Sequence, residues 1–164
     1  MSGIEDFSGF EVIRAAMEVE KQGRQFYSIL STKARNELVR EIFSLLAQDE
    51  IAHLKTLESM VSKYQDGAFW ENEELFLPYL RRFSSERVFP SVERIEELLK
   101  SGKDDLQFLE LAIEAEEKFA DFFRLAVENS RTSDGRDAFA WLADEENRHA
   151  KILQDRRDKL SGKP

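Results

Sequence analysis

Six residues of this 164-residue chain are of the types that bind metal ions, and their spacing lets them act together: Glu20, Glu50, His53, Glu116, Glu146 and His149. The chain has two histidines, and each falls three positions after a glutamate, His53 after Glu50 and His149 after Glu146. Residues three apart on a helix share a face, so each Glu-x-x-His aims a carboxylate and an imidazole at one volume. One such pair says little where 33 of 164 residues are acidic, but these two occupy equivalent places in a repeat. Ala16-Met17-Glu18-Val19-Glu20 aligns with Ala112-Ile113-Glu114-Ala115-Glu116, and Phe26-Tyr27 with Phe122-Phe123. Leu46-Ala47-Gln48-Asp49-Glu50-Ile51-Ala52-His53 aligns with Leu142-Ala143-Asp144-Glu145-Glu146-Asn147-Arg148-His149, and the offset is 96 residues throughout. The chain contains two copies of one unit.

All six residues interrupt apolar stripes of helical period. Glu20 belongs to the series 10, 13, 17, 20, 23, 27; Glu50 and His53 to 43, 46, 50, 53, 57; Glu116 to 113, 116, 119; and Glu146 and His149 to 142, 146, 149, 153. They are expected to point inward. If the first turn is centred near residue 35, Glu20 and Glu50 are equidistant from it and level across an antiparallel hairpin. A turn centred at 131 does the same for Glu116 and Glu146. Four buried carboxylates without compensation are costly, and two divalent cations would balance them while two neutral imidazoles fill remaining positions. Oxygen-rich ligation with one nitrogen per metal suits two iron ions or manganese better than a structural zinc, although zinc can occupy such sites. The chain has no cysteine, which excludes disulfides, thiol catalysis, thiolate-bound zinc and iron–sulfur clusters within these residues.

The elements that must position these groups are helices, because the apolar period is helical and Gly and Pro sit where long stretches would end. The expected fold class is all-α. One helix is expected from about Phe7 to Ser31, a second from an N-cap at Asn36 to Tyr64, a third from about Asp104 to Asn129, and a fourth from Ser133 or Asp134 to Leu160. Between the second and third lies a crossover, residues 65–104, with Pro78, Pro90 and short helices expected at about Asn72 to Phe83 and Val92 to Leu99. Two helical hairpins joined by this long connection make a four-helix bundle, read as a single domain over residues 1–164. The crossover aromatics Phe69, Trp70, Phe76, Tyr79, Phe83 and Phe89 are expected to cover the chain's own core or a dimer contact.

Around the six residues, Tyr27 lies seven positions after Glu20 on the same face, either as a proton or electron donor near the metals or as a core aromatic. Asp49 and Glu145 offer an acceptor to a histidine across the bundle or a solvated face, and the solvated face is the expectation, as it is for Glu18, Glu114 and Glu117. Leu45 and Trp141 are expected in the core. The formal net charge of −9 opposes binding to phosphate backbones or anionic lipid, so neither nucleic acid nor membrane is an expected partner. No stretch approaches the roughly 20 apolar residues that span a bilayer, and Met1 to Phe7 lacks an export signal's basic and apolar regions, giving a cytoplasmic expectation.

On Glu20 with Phe26-Tyr27, the two Glu-x-x-His segments and Glu116, the sequence resembles the ferritin-like superfamily, and within it the rubrerythrin-like branch, over nearly its whole length. That resemblance implies a ferritin-like bundle with a di-iron site of six ligands, Glu50 and Glu146 bridging or chelating and Glu20 and Glu116 terminal. It implies reduction of hydrogen peroxide or dioxygen by electrons from an external donor such as a rubredoxin-like protein, with an iron-buffering ferroxidase as the alternative. Oxygen activation on an organic substrate is a third possibility. It also implies a homodimer. Two departures matter: rubrerythrins proper carry an extra Glu where this chain has Phe119, and the haem-binding Met of bacterioferritins is replaced by Ile51.

Overall fold

The computed structural model describes residues 9–61, 87–129 and 133–162. These form five helices: α1 (Gly9–Lys33), α2 (Glu37–Val61), α3 (Val92–Lys100), α4 (Asp105–Asn129) and α5 (Ser133–Leu160). The four long helices are those expected from the apolar period, and α3 is the second of the two short crossover helices. The one expected at Asn72 to Phe83 lies outside the described residues, as does the end of the second helix at Tyr64. Among the described residues no helix is long and apolar enough to cross a membrane.

The starts of α2, α3 and α4 and the end of α3 have local chemical causes. The Asn36 side chain accepts hydrogen bonds from the N–H groups of Leu38 (2.9 Å) and Val39 (3.1 Å), satisfying donors that α2 leaves open. Asp104 and Gln107 cap α4 reciprocally, each side chain accepting from the other's backbone N–H at 3.1 and 3.0 Å. Ser91 caps α3. That helix ends on Gly102, whose φ of 86° turns the chain so that Lys103 N–H donates to Leu98 O and Gly102 N–H to Leu99 O.

Helix α1 packs along α2 and α4 along α5, while α2 and α5 meet across the bundle and α3 leans on α1. The inner stripes supply the core, including Ile13, Leu30, Phe43, Leu57, Leu109, Phe123, Phe139 and Leu153, all buried. Helices of 25 residues are about 37 Å long, enough for the polar site to lie well inside both ends. Leu45 and Trp141 depart from expectation: both are 46% exposed. They sit at equivalent repeat positions just off the inner stripe, one residue before the buried Leu46 and Leu142, and Trp141 rests its ring against His53 at 5.6 Å. Of the crossover aromatics, Phe89 covers the chain's own core at 1% exposure, and the other five lie outside the described residues.

One carboxylate ties the two hairpins end to end. Asp105, in the first turn of α4 and 7% exposed, accepts from the backbone N–H of Arg35 (2.9 Å) and of Asn36 (2.7 Å) in the turn joining α1 to α2. Charge-assisted bonds of this kind contribute more than neutral ones, and their loss strands two donors. Asp105→Ala should therefore lower stability by about 2–4 kcal/mol, read from the midpoint of denaturant unfolding.

Candidate metal centre

The four long helices each deliver ligand-type side chains to one level: Glu20 from α1, Glu50 and His53 from α2, Glu116 from α4, Glu146 and His149 from α5. All six are completely buried. The structure thus brings together every residue singled out from spacing, and it orients them. The imidazoles stack, centroids 5.3 Å apart and planes 15° from parallel. Each turns Nδ1 inward: that of His53 lies 3.3 Å from Glu20 Oε1 and 3.0 Å from Glu146 Oε1. The Nδ1 of His149 lies 3.4 Å from Glu50 Oε1, 3.4 Å from Glu116 Oε1 and 3.5 Å from Glu146 Oε2.

Two overlapping sets of four residues could each hold a metal ion. One is Glu20, Glu50, His53 and Glu146; the other is Glu50, Glu116, Glu146 and His149; within each set one ligand atom per residue lies within 4.8 Å of the others. Glu50 and Glu146 belong to both. The groups fit cations: both oxygens of Glu20, Glu50 and Glu146, Glu116 Oε2 and both histidine Nδ1 atoms are buried without a hydrogen-bond partner. So many orphaned acceptors in one place would be ruinous unless protons or metal ions occupied it.

Outside this ring, each imidazole's far nitrogen finds a carboxylate from the opposite hairpin. His149 Nε2 donates to Asp49 Oδ2 at 3.1 Å and His53 Nε2 approaches Glu145 Oε1 at 3.4 Å. Neither Asp49 nor Glu145 is merely solvated, which corrects the expectation for both. An acceptor at Nε2 puts the ring proton there and leaves the Nδ1 lone pair facing the centre. Arg148 then joins the two acceptors, donating from Nη2 to Asp49 Oδ2 (2.9 Å) and from Nε to Glu145 Oε2 (3.0 Å). Its bond to Glu145 is legible as an i,i+3 pair, but its reach to Asp49 exists only across the bundle, and its repeat mate is Ala52. Glu18, Glu114 and Glu117 are exposed, as expected.

Tyr27 is a buried core aromatic, and it donates its hydroxyl proton to the site carboxylate Glu116 Oε1 at 2.6 Å. Its repeat mate Phe123 has no hydroxyl, and the site is asymmetric there. Burial, then the Glu116 charge, pushes the Tyr27 phenol well above its ordinary value. It stays protonated.

In the metal-free chain burial pushes the carboxyls of Glu20, Glu50 and Glu116 well above the ordinary range, and their mutual repulsion adds to it. Burial acts in the same sense on Glu146, but the Glu116 carboxyl and the two imidazoles beside it outweigh it and hold Glu146 below the usual range. Burial opposes protonation of His53 and His149, yet the carboxylates around them, Glu146 for His53 and Glu116 first for His149, raise both.

Comparison with known proteins agrees with this architecture. The rubrerythrin family model matches residues 11–157, most of the chain, and the protein belongs to the rubrerythrin family. Among solved structures, one from Thermotoga maritima described as a ferritin-like diiron-carboxylate protein superposes with a TM-score of 0.69 at 20% identity, covering 94% of this chain and 97% of its own. A hypothetical protein from Pyrococcus furiosus also gives a TM-score of 0.69, at 23% identity and with 98% and 95% coverage. At these identities the likeness is one of fold. No curated protein matches the chain.

The raised groups set a sign for the pH dependence of the metal-free protein. A group whose folded pKa exceeds its unfolded value contributes stability that is complete below the unfolded value and is lost as pH rises through the folded one. Glu20, Glu50, Glu116, His53 and His149 all act in that direction, while Glu146 and Glu145 oppose them, losing their contributions as pH falls below their unfolded value of 4.5. Melting of the chelator-treated protein should therefore be lower at about pH 8 than at about pH 5. Adding manganese or ferrous ion should reverse the trend, because metal displaces the protons and binds more tightly as they leave.

Proposed function

We propose that this protein is a di-iron oxidoreductase that reduces hydrogen peroxide or dioxygen with electrons from an external donor. The observation that carries the reading is the pair of overlapping ligand sets sharing Glu50 and Glu146, lined by buried atoms that have no other partner. Membership of the rubrerythrin family and the description of the Thermotoga maritima neighbour as a diiron-carboxylate protein support it.

Glu20 and His53 would hold one iron, Glu116 and His149 the other, and Glu50 and Glu146 would span the two. When bound, the iron pair supplies two electrons and the Lewis acidity that O–O cleavage needs. The chain's own contribution is positional. Asp49 and Glu145 keep both imidazoles in the tautomer that presents Nδ1, and Arg148 keeps both acceptors in place. Tyr27 holds a proton on the oxygen of Glu116, inside a site from which water is excluded, and is suited to steady that ligand or to donate the proton during turnover. Phe119 stands where rubrerythrins proper carry an additional carboxylate, and among the described residues the two ligand sets draw on six side chains. With no cysteine in these 164 residues, electrons must come from outside them, for example from a rubredoxin-like protein. The same lack of a resident electron relay favours a second reading, an iron-binding ferroxidase that loads and releases metal without sustained turnover.

Elemental analysis of protein purified without chelators should find close to two iron or manganese ions per chain, and the diferrous protein should consume peroxide far faster than the Glu50→Ala, Glu146→Ala double variant. One single-turnover oxidation followed by iron release, with no faster cycling when a reduced rubredoxin-like protein is supplied, would select the buffering reading. Tyr27→Phe should keep the metal content and slow turnover about ten-fold or more. Arg148→Ala, which frees both outer carboxylates at once, should weaken metal binding about ten-fold, measured by competition with a chelator of known affinity.

A further inference from the structure

The repeat places glycine in one half and phenylalanine in the other at the same distance from a metal-type glutamate. Gly23 follows Glu20 by three positions on α1, and Phe119 follows Glu116 by three on α4. In the second half, the Phe119 ring packs on Phe123 (centroids 4.5 Å apart) and Phe122 (6.2 Å), and Phe123 packs on Phe139 (6.1 Å). Their counterparts in the first half, Phe26, Tyr27 and Phe43, make the same cluster. Gly23 brings no ring to it. Phe89, from the stretch before α3, supplies one instead, 5.6 Å from Phe26 and 5.5 Å from Tyr27.

Gly23 is helical and needs no left-handed backbone, so space rather than conformation accounts for it; within a helix it costs roughly 1 kcal/mol relative to alanine. A Cβ at Gly23 would meet Phe89 Cε2 at 3.0 Å, Phe89 Cζ at 3.2 Å and Glu50 Oε2 at 3.1 Å. The ring edge and the shared carboxylate border the same spot, and the missing methyl makes room for both.

The two rings are held differently. Phe119 sits mid-helix, its ring packed on Phe122 and Phe123. Phe89 sits in a non-helical stretch, its backbone fixed by Gln22 Oε1, which accepts from the N–H groups of Val88 (3.0 Å) and Phe89 (3.3 Å). Its chain neighbours Val88 and Pro90 are partly exposed and Arg87 fully so, while the ring itself is 1% exposed. The Phe89 ring therefore lies between the Glu50 edge of the site and a stretch of chain that reaches the surface at Val88 and Pro90.

We propose that Phe89 determines what reaches the metal centre: its ring is a removable wall seated on Gly23, small diatomic or peroxide-sized molecules pass when it shifts, larger organic ones do not, and Phe119 is the fixed wall opposite. This rests on the dimetal reading of the site. Cobalt(II) is the probe. Wild type, Phe89→Ala, Phe89→Leu, Gln22→Ala and Phe119→Ala are loaded, their stoichiometry is measured, and release into excess EDTA and the spectral response to benzoate are followed.

Phe89→Ala and Gln22→Ala should speed release about ten-fold or more, and Phe89→Ala should gain a benzoate response. Phe119→Ala leaves an enclosed void, so it should lower the melting temperature yet change release less than about three-fold and gain no benzoate response. Equal acceleration by Phe119→Ala, or none by Phe89→Ala and Gln22→Ala, would overturn the proposal. If Phe89→Ala does not fold, Phe89→Leu and Gln22→Ala decide it. A wild type that takes up no cobalt would sink the dimetal reading itself, a separate failure visible in the stoichiometry before any release is measured.

Discussion

Four carboxylates and two imidazoles, all removed from water, share a volume in which scarcely any of their inward atoms has a hydrogen-bond partner. Desolvation of that many ionisable groups would cost more than the net stability of an ordinary domain unless protons or cations neutralise them. The surrounding structure is organised by this cost. Helices long enough to carry the groups far from either end, aromatic clusters above each hairpin's carboxylates, and the outer salt-bridged layer of Asp49, Glu145 and Arg148 all hold in place an arrangement that repels itself when empty of charge compensation.

The bundle meets the constraint with approximate twofold symmetry and breaks that symmetry in a few places. Glu20 and Glu116, Glu50 and Glu146, and His53 and His149 are exchanged by the repeat, as are the outer acceptors Asp49 and Glu145. Against this, Tyr27 faces Phe123, Ala52 faces Arg148, and Gly23 faces Phe119. Each departure alters something the metal-type ligands do not: one hydroxyl proton lies on Glu116 alone, one guanidinium serves both imidazoles, and one wall is borrowed from the crossover.

Much of this was legible in the residue order. Helical period and breaker placement located the four long helices over the described residues, with the expected ends at Phe7 and Tyr64 lying outside them, because an amphipathic stripe of 25 residues is a strong and local signal. The six site residues stood out as charges in apolar stripes, and the repeat turned a weak motif into a strong one. The 96-residue offset determined that the two hairpins match, and the absence of cysteine determined that any metal sits on oxygen and nitrogen. What the sequence left open was decided by distances between helices. Asp49 reads as one more acid on a solvated face until α5 brings His149 within 3.1 Å of it. Leu45 and Trp141 read as core, yet the packed bundle leaves both half exposed. Nothing in the residue order told that the Tyr27 hydroxyl meets Glu116, 2.6 Å away. Phe89 was one aromatic among six in the crossover until its ring filled the space over Gly23. Periodicity reports which side of a helix a residue faces; which atom of another helix it meets depends on crossing angle and register, and those are properties of the packed bundle alone.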